Sequence, residues 1–174
     1  MTHIVNFSGG LCSLFAAQRT IAAQGAANTV LLFADVLDED PDLYTFNARA
    51  AEILGVPITR ISREPTPWQL FRREGLIGNS RFPICSVKLK RELLNQWMTA
   101  HFSLDADQPD ALLSPATVVL GFDATEWHRV AEMQKAHPGW RLSARLARVR
   151  PASAWPAGFC LTARLVGLRM LSRS

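Results

Sequence analysis

The stretch His3-Ile-Val-Asn-Phe-Ser-Gly-Gly-Leu-Cys-Ser13 decides the fold of this chain. Its short apolar run ends in Ser-Gly-Gly and passes directly into a helix-like segment, Leu14-Phe-Ala-Ala-Gln-Arg19. A strand, a glycine turn and a helix in that order direct backbone N–H groups and the positive end of the helix at one point, which suits a phosphate group. The stretch therefore predicts the first strand–helix unit of an α/β protein, with an anion site at its turn.

Residues 8–13, called the glycine loop below, carry the predicted anion site. Its serine hydroxyls can donate to phosphate oxygens, and its glycines let an anion approach the backbone closely. The spacing is neither that of a Walker A loop nor that of GxGxxG, so an ordinary strand-to-helix turn stays open as the alternative. The predicted phosphate-binding residues are Ser8, Gly9, Gly10, Leu11, Cys12 and Ser13.

Beyond the glycine loop, short apolar runs alternate with segments of helical length. We expect strands at residues 4–7, 30–33, 57–61 and 117–120, and helices at residues 12–24, 41–54, 67–73, 87–101 and 125–136. Asp40 before Pro41 predicts the start of the second helix, and Gly55 predicts its end. The alternation predicts an α/β, Rossmann-like fold, an open parallel sheet with helices on both faces, whose ligand lies beyond the carboxyl ends of the strands.

Length and composition are typical of a single folded domain. The chain has 174 residues, of which 48% are hydrophobic and 20% charged, and no apolar run approaches the roughly 20 residues that cross a bilayer. Three widely spaced cysteines without a CxxC pair favour a reduced, cytoplasmic protein with no iron–sulfur cluster. We expect no membrane partner, and we leave a homodimer open.

The charge of the chain changes abruptly after residue 140. Residues 1–140 hold all 15 acidic residues and 12 of the 19 basic ones, whereas residues 141–174 hold seven arginines and no acidic residue. We therefore expect a folded domain at 1–140 and a basic tail at 141–174, which is either poorly ordered or a truncated remnant of a longer parent. A tail of this kind can also serve as a nucleic-acid arm.

Two further segments carry candidate binding residues. Asp35 ends the second expected strand, where a carboxylate can accept from ribose hydroxyls or bind magnesium, although capping a turn is the commoner task. The basic run at residues 81–91 contains Lys88 and Lys90, which can hold phosphate or sulfate oxygens or can simply line an exposed helix face. Cys85 in the same run is the candidate catalytic nucleophile, with a buried structural cysteine as the alternative.

The segment that follows the fourth expected strand is Gly121-Phe-Asp-Ala-Thr-Glu-Trp-His-Arg129. Thr125 reads as a helix N-cap, which leaves Glu126 and Arg129 three residues apart on one face. Arg129 can then reach a phosphate, or it can form a simple ion pair with Glu126. Gly121 and Arg129 are the binding candidates in this segment.

These four segments, in this order, resemble the phosphoadenosine phosphosulfate reductase-like branch of the PP-loop ATP pyrophosphatase superfamily, which has the adenine nucleotide α-hydrolase-like fold. The loop of that superfamily is Ser-Gly-Gly-Lys-Asp-Ser, and the glycine loop matches it except that Leu11 and Cys12 stand at the Lys and Asp positions. The Ser-Gly-Gly-Leu-Cys-Ser variant resembles that of some phage and prophage members. Asp35 corresponds to the aspartate of the second strand in the family.

The later motifs of the family are matched more loosely. Its Cys-x-x-x-Leu-Lys element corresponds to Cys85, Leu89 and Lys90. Its Gly-Ile-Arg-x-x-Glu-x-x-x-Arg element resembles residues 121–129, with Asp123 in place of the arginine and the Glu–Arg spacing one residue tighter. The C-terminal Glu-Cys-Gly-Leu-His element of the reductases has no counterpart, because the tail holds only Cys160 in Gly-Phe-Cys-Leu.

The resemblance implies a PP-loop nucleotide-binding domain at residues 1–140. ATP or a sulfonucleotide, adenosine phosphosulfate or phosphoadenosine phosphosulfate, is the expected ligand, with magnesium left open. Its phosphates would lie on the glycine loop and its adenosine near Asp35, with Lys90 and Arg129 as supporting cations. Because Leu11 and Cys12 remove a cation and a candidate magnesium ligand, we expect binding more than turnover, whether reduction or ATP α–β cleavage. The alternative is a non-catalytic module whose basic tail contacts nucleic acid.

Overall fold

A five-stranded parallel sheet organises the fold. A computed structural model describes residues 1–79, 81–102, 115–122, 126 and 128–144. Its strands are β1 (Thr2–Asn6), β2 (Thr29–Asp35), β3 (Ile58–Ser62), β4 (Ala116–Val119) and β5 (Arg141–Ser143). All neighbours pair in parallel, and the strand order is β3-β2-β1-β4-β5. The expected α/β fold with an open parallel sheet is confirmed.

In the described part of the chain, five α-helices connect or follow these strands. They are α1 (Leu11–Gln24), α2 (Pro41–Leu54), α3 (Pro67–Glu74), α4 (Glu92–Phe102) and α5 (His128–Ala136). A short 3-10 turn at Ala26–Asn28 precedes β2, and a π-helical segment at Ser86–Arg91 leads directly into α4. None of the helices in the described part of the chain combines the length and apolar character that crossing a bilayer requires.

Capping residues define the ends of α2 and α3. Asp40 accepts a hydrogen bond from the backbone N–H of Asp42 at 2.9 Å, and α2 ends at Gly55 in the left-handed region with φ of 63°. Both expected signals of α2 are therefore confirmed. Thr66 and Gln69 cap the start of α3 reciprocally, side chain to backbone in each direction, which satisfies two donors at that end of the helix.

The structure differs from the sequence expectation mainly towards the C-terminal part. Strand β5 was not expected, because its three residues are too short for a periodic pattern and lie at the start of the basic tail. It pairs with β4, so the change in composition after residue 140 falls before the last strand of the sheet. Residues 80, 103–114, 123–125, 127 and 145–174 lie outside the described residues. The expected N-cap Thr125, as well as Cys160 and most of the basic tail, fall among them.

Alternation along β1 supplies one hydrophobic core on each face of the sheet. Val5 and Phe7 face the first core, with α1 and α2. Ile4 faces the second core, where Met98 of α4 and Trp140 pack against it. Ile4, Val5 and Met98 have no exposed surface. Since strand side chains alternate between faces, this division places helices on both sides of the sheet, as expected.

Substituting Met98→Ala tests the packing of α4 against the second face. Loss of a fully buried methionine leaves a cavity, so we expect a loss of about 2–5 kcal/mol in the free energy of unfolding. Urea denaturation measures this change. The matched control is Ile53→Ala, because Ile53 is 51% exposed on α2 and should change stability by less than about 0.5 kcal/mol. Equal losses in the two variants would contradict the packing.

Candidate functional site

The strand order reverses between β1 and β4, which defines a switch point at the carboxyl ends of these strands. In open parallel sheets, this is where ligands bind. The glycine loop follows β1, and Gly121 lies just beyond β4. A Cβ atom added to Gly121 would lie 2.8 Å from both the N and the Cα of Ser13. The fold thus brings two of the candidate segments into backbone contact at the switch point.

Gly9 shapes the glycine loop through a conformation and a contact that both require glycine. Its φ is +76°, in the left-handed region that L side chains rarely adopt. A Cβ atom there would collide with Leu43 Cδ1 and would lie 3.1 Å from Asn47 Oδ1, both on α2. Because α2 packs directly against the loop, the sequence at this position has no alternative to glycine without rearrangement.

The N-terminus of α1 lacks the side-chain caps that α2 and α3 have. Gly10 is its N-cap residue and makes no side-chain capping bond, and no acidic residue lies in the first turn. The first helical hydrogen bond runs from Leu14 N to Gly10 O at 3.1 Å. Asp40 and Thr66, by contrast, cap α2 and α3. The positive end of α1 therefore has no counter-charge from its own first turn, which favours an anionic ligand.

The two serines of the glycine loop lie in different surroundings. Ser13 is 1% exposed, and its hydroxyl donates to Gly10 O at 2.7 Å. Since a serine hydroxyl has a single proton, that proton is used inside the loop. Ser8 is exposed, and its Oγ lies 3.4 Å from Ser13 Oγ. The hydroxyl of Ser8 is therefore the one at the surface of the loop, while that of Ser13 stabilises the turn.

Two asparagines beside the loop were missed by the sequence interpretation. Asn47 is 8% exposed, and within the described part of the chain neither its Oδ1 nor its Nδ2 has a hydrogen-bond partner. The buried Oδ1 of Asn6, the last residue of β1, likewise lacks one there. Buried polar atoms are almost always hydrogen-bonded, so two such amides next to one loop are unusual. The sequence feature that could have indicated Asn47 is its position among Leu43, Phe46 and Ala50 on the apolar face of α2, where a polar side chain becomes buried.

Asp35 is placed at the carboxyl end of β2, as expected, but its carboxylate is fully engaged. Oδ1 accepts from Leu37 N at 2.7 Å and from Tyr44 Oη at 3.0 Å. Oδ2 accepts from Arg60 Nε at 2.6 Å and also from Arg60 Nη2. A carboxylate has about four lone-pair positions, and these four bonds occupy them. Desolvation and the bond to Asp35 raise the pKa of Tyr44.

The saturated carboxylate does not fit the role of a metal ligand. The side chain of Asp35 has no exposed surface. Among the residues with described positions, no group of three or more His, Cys, Asp and Glu side chains could hold a metal ion. Capping the turn after β2, the alternative role of Asp35, agrees with its bond to Leu37 N.

The three candidate cations are each held by a neighbouring glutamate. Lys88 Nζ lies 2.7 Å from Glu74 of α3, and Lys90 Nζ lies 2.8 Å from Glu39 in the segment after β2. The hydrogen bond from Lys88 lowers the pKa of Glu74. Arg129 pairs with Glu126, which is the simpler of its two predicted arrangements. Lys88 therefore points to α3, whereas Lys90 is directed to the carboxyl end of β2.

Arg129 also contacts an aromatic ring next to the switch point. Its guanidinium carbon lies 4.7 Å from the centre of the Phe122 ring. Phe122 directly follows Gly121, which touches the glycine loop. Arg129 therefore lies on the β4 side of the switch point, with its charge shared between Glu126 and a ring face.

Cys85 is packed in a small apolar cluster beside the sheet. Its neighbours in that cluster include Val36, Leu70 and Leu89. Burial raises the pKa of the Cys85 thiol, and the charge of Lys90 offsets this only in part. A raised pKa lowers the thiolate fraction at neutral pH, so the surroundings favour the structural role over that of an activated nucleophile.

Comparisons with known proteins add no relative. No family model, no curated protein and no solved structure matches this chain. Parallel α/β sheets of this kind support many unrelated activities. The functional conclusion therefore depends on the glycine loop and the residues that surround it.

Alkylation measures the environment of Cys85. In a Cys12→Ser, Cys160→Ser variant of the chain, only Cys85 remains to react with iodoacetamide. Because the pKa of Cys85 is raised, we expect its alkylation rate to increase with pH along a curve that lies at higher pH than that of free N-acetylcysteine. A displacement to lower pH would show that nearby lysines activate the thiol.

Gly121→Ala tests the contact between the two loops at the switch point. The new methyl group would meet immobile backbone at 2.8 Å, so we expect a loss of about 1–3 kcal/mol in the free energy of unfolding. Gly10→Ala is the control, since its methyl group would find only Ser8 Oγ at 3.7 Å and should cost less. Urea denaturation decides, and a smaller loss at Gly121 than at Gly10 would contradict the contact.

Proposed function

We propose that this chain binds an adenine nucleotide through the phosphates, on the glycine loop, as a protein of the phosphoadenosine phosphosulfate reductase-like, PP-loop type. The observation that carries the proposal is the uncapped, acid-free N-terminus of α1, which begins directly at a glycine loop beside the switch point. Backbone N–H groups and the helix dipole suit phosphate oxygens at such a position. The ordered motifs of the sequence supply the choice of adenine nucleotide.

Binding is better supported than turnover. Leu11 and Cys12 bring neither a cation nor a carboxylate to the loop. Lys90 and Arg129, the two supporting cations that the resemblance implies, are already paired with Glu39 and Glu126. Catalysis requires electrostatic interactions that are stronger with the transition state than with the bound substrate. Sulfonucleotide reduction and ATP α–β cleavage therefore stay secondary to binding in this proposal.

The adenosine would lie towards the carboxyl end of β2, with Asp35 acting indirectly. Its carboxylate holds Tyr44 and Arg60 by hydrogen bonds. The guanidinium carbon of Arg60 lies 5.1 Å from the centre of the Tyr44 ring, and the Arg60 side chain is 55% exposed. In this arrangement Asp35 orients two side chains that can contact a ribose or a base. Any magnesium ion would arrive with the nucleotide phosphates.

Calorimetry tests this proposal directly. We expect the full chain to bind at least one of ATP, adenosine phosphosulfate and phosphoadenosine phosphosulfate, each measured with and without magnesium. Gly9→Val should abolish binding, because the side chain would collide with Leu43 and occupy a left-handed position. Gly55→Val is the matched control: its φ is +63° but it has open space around it at the end of α2.

The outcomes of this experiment separate clearly. Retained binding in Gly55→Val with loss in Gly9→Val supports the glycine loop as the phosphate site. Absence of binding by the natural chain, or unchanged binding in Gly9→Val, would contradict the assignment of the phosphate site to the glycine loop. Circular dichroism of both variants shows whether each is folded, so that loss of binding can be attributed to the loop.

Asn47 gives a second test, in which stability and binding change in opposite directions. We infer that its amide bonds to a peptide group of the loop when an anion is bound, since its Oδ1 faces Gly9. Asn47→Leu removes a buried amide with no partner among described residues, so the free protein should gain up to about 1–3 kcal/mol. Nucleotide binding should weaken about fivefold or more, the equivalent of about 1 kcal/mol. A destabilised variant with unchanged affinity would contradict this role.

A further inference from the structure

Helix α3 and the segment after it form an exposed surface that is both aromatic and basic. Trp68 is 63% exposed and Phe82 is 58% exposed. Arg72, Arg73 and Arg81 are also exposed, and the side chain of Arg73 retains 71% of its accessible surface. We call these five residues the basic-aromatic face. It has no part in the nucleotide site proposed above.

Direct contacts hold the parts of this face together. The rings of Trp68 and Phe71 meet edge to face, with their centres 5.8 Å apart. A Cβ atom on Gly78 would lie 3.1 Å from Phe71 Cε1 and 3.4 Å from Phe82 O. Phe71 therefore links the helix that carries Trp68 to the segment that carries Phe82.

Hydrogen bonds also order the end of this segment. Asn79 Oδ1 accepts from the backbone N–H groups of Arg81 and Phe82, at 2.9 and 3.0 Å. Asn79 N in turn donates to Phe82 O at 3.1 Å. These bonds order the backbone that carries Arg81 and Phe82, and both residues are exposed.

The basic-aromatic face carries three arginines and no acidic residue. In the sequence from 65 to 83, the only acidic residue is Glu74. Its carboxylate is already held by Lys88 at 2.7 Å and by Arg73 at 3.8 Å. Among the described residues, neither Arg72 nor Arg81 takes part in an ion pair. A ligand at this face therefore meets exposed rings beside positive charge, a combination that suits a polyanion with flat apolar groups.

We propose that the basic-aromatic face binds single-stranded nucleic acid, with bases stacking on Trp68 and Phe82 and phosphates contacting Arg72, Arg73 and Arg81. Successive bases on aromatic rings, with the backbone along arginines, are the general basis of such binding and require no base-specific contacts. An apolar partner protein would use the rings but not the arginines, and the positive charge therefore favours a nucleic acid. The basic tail is not needed for this interaction.

Fluorescence anisotropy with a fluorescein-labelled oligodeoxythymidylate tests the proposal on the full chain. We expect binding that weakens steeply as salt rises. Trp68→Ala should lower the affinity about fivefold or more through loss of stacking. Arg72→Gln with Arg81→Gln should make the negative slope of log affinity against log salt shallower by about 0.7 per arginine. The tail is intact in every variant, so differences between variants report the face.

Matched controls use exposed residues on the other helices. Ile53→Ala removes a side chain of α2 that is 51% exposed, and Arg19→Gln with Arg49→Gln removes two exposed arginines of α1 and α2. Neither control should change the affinity more than about twofold, the scatter expected at sites remote from the ligand. Saturating ATP should leave the binding unchanged, because the glycine loop is a separate site.

Four results would overturn the proposal. The first is no binding by the natural chain. The second is equal affinity of the natural chain and the Trp68 and arginine variants, which would assign binding to the tail. The third is displacement of the oligonucleotide by ATP. The fourth is a dimer or binding to phosphatidylglycerol vesicles that Trp68→Ala disrupts while leaving the oligonucleotide affinity unchanged. The first, second and fourth results are independent of whether the glycine loop binds a nucleotide.

Discussion

The position of β1 between β2 and β4 is the constraint on which the rest of the molecule depends. Residues of β1 pair with both neighbours, so that Ile4 and Val5 each have a register partner in β2 and in β4. Their side chains enter opposite cores. Because the glycine loop follows this strand, its position is fixed by the central strand of the sheet. A ligand site on such a support requires little further ordering.

Local patterns in the sequence predicted the elements, whereas contacts between distant elements could not be read from it. The cap at Asp40 and the stop at Gly55 depend on neighbouring residues only, and both are confirmed. The bond between Asp35 and Arg60 joins two strands, and the sequence showed an aspartate at a strand end without showing what would occupy it. Strand β5 forms by pairing with β4. A segment of three residues has no pattern of its own that would predict such pairing.

The candidate site shows the same division. The glycine loop and the helix after it were predictable, since a strand, two glycines and an apolar helical run adjoin in the sequence. The position of the Asn47 amide beside Gly9 was not predictable, because it depends on how α2 packs against the loop. The ion pairs of Lys88 and of Lys90 could not be predicted from the sequence either. Both lysines meet glutamates from other elements, at Glu74 and Glu39.

The backbone contact between Gly121 and Ser13 has a consequence for how the chain can vary. Side-chain contacts can be repacked by paired substitutions, since one group shrinks as its neighbour grows. Here neither partner has an atom to give up: Gly121 has no side chain, and Ser13 presents its main chain. The only available adjustment is a shift of a whole segment, which would move α1 relative to β4. The relative position of the two loops is therefore fixed. A change in ligand specificity would have to come from substitutions of the side chains around them.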